Sequence, residues 1–592
     1  MTDGQNVRLV PREVLFGNPE RLSPRISPDG RQLAWIAPHD GVLNVWVKTV
    51  GGDDDRVVTD DRDRGIRSFF WAPDNRRILY VQDIGGDENW RLHDVHLESQ
   101  LSRDLTPFDG VMVQVQHVDK KFPTEILIGM NKDNPQLHDV YKLDLESGEL
   151  TKVVENPGFL GFVTDEAFQT RCAVAPTPDG GSVILVRDTE ADDWRPLMEV
   201  SQEDALLTNP MAFSEDGARL LMISSVGANA ARLVWVDIAT GDTTVVTEDA
   251  AYDVTAVRAH PDTNEPQLVC FLRDRLEWVV VDPALAGDLE ALQALDQGDL
   301  VFQGHDHADQ TWLVAFNHDD GPISYYAYDR ATKQGTFLFD HQQSLADYDL
   351  APMEAFSFTA RDGLVVHGYL TFPPGVARTN LPAVVNVHGG PWHRDAWGYN
   401  AEAQWLANRG YLCVQVNFRG SLGYGKDFTN AGDREWGGKM HDDLLDAIDH
   451  VVKEGHADRD RVAIYGGSYG GYAALVGATF TPEVFTCAVD IVGPSNLKSF
   501  IESVPPYWVP MIALLHTRVG NPEVEEEWMW SRSPLSKVDN ISIPLLIAQG
   551  ANDPRVKQAE SEQIVAAMRD KGIPHEYLLF EDEGHGFAKP EN

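Results

Sequence analysis

Three short stretches of the chain carry side chains whose types and order suit nucleophilic catalysis. The first reads Val462-Ala463-Ile464-Tyr465-Gly466-Gly467-Ser468-Tyr469-Gly470-Gly471-Tyr472 and continues as Ala473-Ala474-Leu475-Val476. An apolar strand runs into Gly-x-Ser-x-Gly and a helix leaves it. Such a turn holds a serine hydroxyl clear of the sheet in strained backbone geometry, at a helix N-terminus that favours developing negative charge. Near neutral pH that hydroxyl needs a base, and the base needs a carboxylate to orient it. The second stretch, Leu545-Leu546-Ile547-Ala548 followed by Gly550-Ala551-Asn552-Asp553-Pro554-Arg555-Val556, offers Asp553. The third, Tyr577-Leu578-Leu579-Phe580 followed by Glu583-Gly584-His585-Gly586-Phe587, offers His585. The expected roles are nucleophile for Ser468, general base for His585 and orienting acid for Asp553. A helix-capping aspartate and a histidine in a glycine turn would explain two of these residues singly, but not all three in this order.

Acyl transfer also needs two N–H donors for its oxyanion. The Tyr469 amide, next to the nucleophile, is one candidate. The other is Gly390, in the loop His388-Gly389-Gly390-Pro391 that follows the apolar run 384–387; an ordinary glycine turn is the competing reading. No cofactor and no metal is expected. His305-Asp306-His307 lacks a third and fourth ligand, and Asp53-Asp54-Asp55 and Asp60-Asp61 lack the spacing of a calcium loop. There is no phosphate-binding Walker loop, and the glycines of 466–471 have the spacing of the serine turn rather than of a dinucleotide fingerprint.

The elements that must position these residues are legible after about residue 350. Strand-like runs at 381–388, 411–418, 462–465, 487–492, 544–549 and 576–580 alternate with helical patterns such as 439–454 and 558–571. That alternation implies a mostly parallel sheet covered on both faces, with Ser468, Asp553 and His585 each just past the carboxyl end of a strand.

The preceding residues have another texture. Pro-Asp-Gly-like turns precede short apolar strands at Asp29, Asp74, Asp179, Asp216 and Asp262, with weaker candidates at Asp119 and Asp309. Successive intervals of 45, 45, 60, 37, 46 and 47 residues are those of β-propeller blades, about seven of them; a β-sandwich would not normally sustain the period this long. The expected division is an N-terminal segment (1–20) that packs on either domain, a β-propeller (21–345) and an α/β domain (346–592).

The second domain resembles the catalytic domain of the prolyl oligopeptidase family of serine peptidases, with an α/β-hydrolase fold, especially the acylaminoacyl-peptidase and bacterial oligopeptidase branch. The resemblance is carried by His388-Gly389-Gly390-Pro391, Asn417-Phe418-Arg419-Gly420-Ser421 with Gly423-Tyr424-Gly425, the serine turn, Asp553-Pro554-Arg555-Val556 and Gly584-His585-Gly586-Phe587. It covers about residues 355–590, and the propeller before it matches the family's two-domain plan. It implies a peptidase for short or N-terminally blocked peptides, with the propeller excluding folded proteins. It further implies that Arg555 binds a substrate carbonyl or carboxylate and that Val556 lines the pocket for the P1 side chain. A guanidinium is suited to that work, and equally to a structural ion pair. Trp392, Tyr472, Tyr507 and Trp508 are apolar candidates to complete the pocket, with core packing the alternative for each. The propeller lacks the Glu-Glu pair with which dipeptidyl-peptidase relatives grip a free amino terminus, and Glu525-Glu526-Glu527 reads as an exposed helix, so dipeptide release is disfavoured. The resemblance also implies a final helix after His585. Only seven residues follow it, so one face of the sheet is expected to lie uncovered.

Composition limits the partners. The chain has 592 residues, enough for two or more domains, and 92 acidic against 49 Lys and Arg residues give a net charge of −43. Such a surface repels phosphate backbones and anionic membranes, so neither nucleic acid nor membrane is an expected partner. No apolar run approaches the roughly 18 residues of a membrane helix. Met1-Thr2-Asp3-Gly4-Gln5-Asn6 lacks a secretory layout, and Cys172, Cys270, Cys413 and Cys487 are far apart in apolar surroundings, as befits reduced thiols of a cytoplasmic protein. The expectation is a serine peptidase for short peptides working through an acyl-enzyme on Ser468. The alternatives are an esterase or amidase for a small non-peptide substrate and a propeller-based binding protein with an inert hydrolase half. The residues leave the P1 preference, the state of the substrate's N-terminus and the oligomeric state open, a homo-oligomer included.

Overall fold

The computed structural model describes residues 7–592. Seven small antiparallel sheets follow one another between residues 22 and 340, six of four strands and one of three. Each is a propeller blade. Blades stack face to face, so their inner strands are apolar on both sides; the strand Gln32–His39, for example, buries five consecutive residues from Leu33 to Ala37. The aspartate turns join the first strand of a blade to the second, and in four of them the carboxylate accepts the amide two residues on: Arg31 for Asp29, Arg76 for Asp74, Lys121 for Asp119, Ala218 for Asp216. This bond fixes the turn without help from the rest of the blade.

In the fourth blade the structure corrects the repeat. The equivalent turn is at Asp165, which accepts from the Ala167 amide between the strands Gly161–Thr164 and Thr170–Pro176. Asp179, the residue expected there, lies one hairpin later, before Ser182–Val186. The irregular intervals of 60 and 37 residues thereby become 46 and 51. Asp165 is followed by Glu-Ala-Phe rather than Gly, with Phe168 at φ +59°, which hid the turn.

The second half is one eight-stranded sheet in the order Met353–Thr359, Val365–Thr371, Leu412–Asn417, Leu381–Val387, Ala457–Gly467, Cys487–Ile491, Leu545–Gly550, His575–Phe580. Pairing is antiparallel up to Leu412–Asn417 and parallel from there on. The helix Tyr469–Phe480, apolar all round, is buried at the centre, while Lys439–Lys453 buries Met440, Leu444, Ala447, Ile448 and Val451 together with His441 and Asp443. At the start of the last strands Val489 and Leu546 line a groove of about 590 Å³, and Leu578 of the last strand is exposed.

The described part of the N-terminal segment packs on the second domain. The helix Arg12–Phe16 lies against Ala401–Asn408, whose Asn408 accepts the Val10 amide (2.7 Å) and donates to the Arg8 carbonyl. Gln404 of the same helix binds both the amide and the carbonyl of Ala351, where the chain leaves the propeller.

Candidate active site

The serine turn is built by backbone crowding. A Cβ at Gly466 or Gly470 would overlap the Val387 carbonyl, so only glycine lets the strand and the helix cross there. Ser468 is held at φ +59° and ψ −118°, with its amide donating to the Ile491 carbonyl (2.8 Å). This is strained backbone for a residue with a side chain, in the form the sequence predicts. Tyr469 opens the helix, so its N–H has no intrahelical acceptor. Its ring is buried against Phe418 and Trp436, which anchors the turn.

Asp553 is buried and makes three bonds. Oδ1 accepts the amides of Arg555 (2.8 Å) and Val556 (2.9 Å), and Oδ2 lies 2.7 Å from His585 Nδ1. The carboxylate is thus fixed by its own loop before it orients the histidine. Ser468 and His585 line the same cavity, of about 300 Å³, with Gly390 and Tyr469 beside the serine. Among the described residues no hydrogen bond joins the Ser468 hydroxyl to His585; such contacts commonly tighten only when substrate binds. Gly389 packs on Ser468 and the Gly467 carbonyl, which brings the Gly390 loop next to the hydroxyl. His388 supports that loop, with Nδ1 2.8 Å from the Gly389 carbonyl oxygen and Nε2 3.0 Å from Ser421 Oγ; burial pulls its pKa down to about 3, so it stays neutral.

Trp392, Trp508, Arg555 and Val556 line the cavity, joined by Trp436, Phe500, Met511, Leu515 and Val519. These last five come from residues 436–519, Trp436 from a turn and the others from helical segments and their ends, whose apolar residues look in sequence like ordinary core. Tyr472 is a correction: it is 1 % exposed, packs on Trp436 and donates its hydroxyl to the Arg532 carbonyl (2.8 Å), so it belongs to the core beneath the site. Tyr507 does not line the cavity either. Its hydroxyl donates to Glu88 (3.1 Å), and burial together with the Glu88 charge pushes its pKa up, keeping it a donor.

Glu88 is the residue that sequence reasoning missed. It stands in the loop 83–90 of the second blade, at φ +57°, and accepts from Arg555 Nε at 2.9 and 3.0 Å through its two oxygens. Arg555 thus forms an ion pair, and it also lines the cavity. The same loop presses on the histidine loop. Asn552 donates to the Gly85 carbonyl (2.8 Å), and Arg64 bridges Asp83 (2.7 Å) and the fully buried Glu583 (3.1 Å). The signal was present as Gly85-Gly86-Asp87-Glu88, an interruption between two blade strands, but its partner lies 467 residues away. His305, in contrast, closes a blade turn, with Nδ1 2.7 Å from the Asp306 carbonyl oxygen.

Comparison with known proteins follows this geometry. The model of the prolyl oligopeptidase family matches residues 397–592. Dipeptidyl aminopeptidase BIII of Pseudoxanthomonas mexicana is 47% identical over 597 residues, which cover 99% of this chain and 86% of that protein. Dipeptidyl peptidase family member 6 of Caenorhabditis elegans is 36% identical, covering 99% of this chain and 85% of its own. Among solved structures, a puromycin-hydrolyzing peptidase of Mycobacterium tuberculosis superposes with a TM-score of 0.76 at 22% identity, over 99% of this chain and 94% of that one, and has the same fold. Among the described residues no helix is long and apolar enough to cross a membrane.

Proposed function

Because the chain belongs to the prolyl oligopeptidase family and is a serine peptidase acting on peptides, we propose that Ser468 is its nucleophile, His585 its general base and acid, and Asp553 the carboxylate that holds the working tautomer of His585. Ser468 Oγ attacks the peptide carbonyl as His585 takes its proton, and the amides of Tyr469 and Gly390 receive the oxyanion. His585 then passes the proton to the departing amine, and a water deprotonated by the same base attacks the acyl-enzyme, so that Ser468 Oγ leaves with the proton and the acid is freed. The apolar wall of Trp436, Phe500, Leu515, Val519 and Val556 takes the P1 side chain.

The finer reading assigns Glu88 to the substrate's free α-ammonium, which makes the enzyme one that releases dipeptides from unblocked N-termini. A single observation carries it: a propeller carboxylate reaches the edge of the cavity, shielded and oriented by Tyr507 and Arg555. The 47% identical relative is called a dipeptidyl aminopeptidase, in keeping with this. A second reading has its own support. Glu88 already has Arg555 as counter-charge, which favours blocked N-termini, with Arg555 addressing a substrate carbonyl. The four unpaired thiols fit a reducing compartment, and the proposal places the enzyme in the cytoplasm.

Mass-spectrometric cleavage of tetrapeptides with free and acetylated N-termini tests these readings. Free termini should be preferred about a hundredfold in kcat/KM, and Glu88→Gln should erase most of the preference. Equal or better cleavage of acetylated peptides would select the second reading. Ser468→Ala should lose at least about 10⁴-fold and all labelling by a fluorophosphonate; a loss below tenfold would remove Ser468 from its role.

A further inference from the structure

A second cavity, of about 410 Å³, lies in the propeller beside the histidine loop, walled by Phe70, Val81, Trp90, Met112 and Val115. Two arginines border it, and they are used differently. Arg64 is committed to Asp83 and Glu583. Arg67 has no carboxylate within 4.0 Å among the described residues; one of its Nη groups donates to the Ala588 carbonyl, and the rest of the guanidinium is exposed to the cavity. Partial burial, then the neighbouring Arg64 charge, pulls its pKa down against the opposing charges of Glu583 and of Asp83, which also lines the cavity; both carboxylates are already paired with Arg64.

The chemistry of the proposed reaction says what should lie there. When the C–N bond breaks, the departing nitrogen takes its proton from His585, so the leaving peptide must sit on the histidine side of Ser468. Ala588, which Arg67 touches, is three residues beyond His585, at most about 11 Å of extended chain. A leaving segment of two or three residues, at about 3.5 Å each, spans that distance. Its apolar side chains meet Phe70, Trp90 and Met112, and its far end is an α-carboxylate, the charge Arg67 lacks.

We propose that this cavity is the seat of the leaving peptide and that Arg67 binds its terminal carboxylate, a specificity site for short peptides with free C-termini. The inference rests on the peptidase reading of Ser468 and His585. The test compares kcat/KM for a tetrapeptide ending in a free carboxylate with that for the same peptide ending in an amide. In the wild type the acid should be favoured about tenfold. In Arg67→Gln the ratio should fall to about one, and Arg67→Lys should restore part of it. A general disturbance of the histidine loop would slow both substrates and leave the ratio at about ten, which would overturn the assignment. So would a wild-type ratio of one. A wild type that cleaves neither peptide would instead overturn the peptidase reading beneath it.

Discussion

Gly86 of the second blade and Gly584 of the histidine loop meet backbone against backbone: a Cβ on either would overlap the other's main chain. Gly86 also sits at φ +88°, which disfavours a side chain independently. The propeller therefore sets the position of the residue next to His585. Gly86→Ala should lower kcat by about tenfold or more, because a 1 Å displacement of a catalytic group is costly. Circular dichroism should find both domains folded; unchanged kcat would mean the loop can yield without moving His585.

Asp553→Asn keeps an oxygen for the Arg555 and Val556 amides but turns an N–H₂ group toward His585 Nδ1. Two donors then face each other, and the imidazole is driven to the tautomer that cannot accept the Ser468 proton. The expected loss in kcat is about 10³–10⁴-fold with little change in melting temperature. A loss under tenfold would show that His585 does not depend on this carboxylate.

The cavity wall proposed for the P1 side chain contains aromatic and aliphatic groups and one cation, Arg555, whose charge is matched by Glu88. Peptides with leucine or phenylalanine at P1 should exceed those with aspartate or lysine by about a hundredfold in kcat/KM, since an unpaired charge would be buried. A matched peptide series read by mass spectrometry decides this, and a flat series would place the P1 side chain elsewhere.

Asp395 is half-buried beside the sheet, with its carboxylate turned inward. Gln415 donates to one oxygen (2.9 Å), while the other has no partner among the described residues. Burial, the largest cause, and the nearby Glu402 charge raise its pKa to about 7, against the opposing Gln415 bond and Arg394 charge. An acid whose pKa is raised by folding binds more protons folded than unfolded, so its contribution falls as pH rises from about 4 through 7. Asp395→Asn should accordingly raise the melting temperature by a few degrees at pH 8 and by much less at pH 5. Equal shifts at the two pH values would mean that Asp395 does not titrate in this range.

What could be read from the sequence was what a short segment decides by itself. Ser468, Asp553 and His585 each follow a strand within one continuous motif, and the bonds that hold Asp553 come from residues two and three places on. The blade turns are equally local. What escaped was decided by docking. Glu88 matters only because the propeller sits on the sheet, and Tyr472, next to the serine motif in sequence, is carried by its helix into the core. The turn at Asp165 was passed over because the residue that takes the left-handed conformation there is Phe168 and not glycine.

The first blade is made from residues 22–57 and the last from residues 299–340, so among the described residues no strand crosses the seam between them. The short helix Ala401–Asn408 grips both approaches to that ring, through Asn408 on the incoming side and Gln404 on the outgoing side. The propeller is thus a bracelet whose clasp belongs to the neighbouring domain. Heat or denaturant that melts the clasp frees both ends of the ring at once, which couples the two domains into a single cooperative unfolding unit.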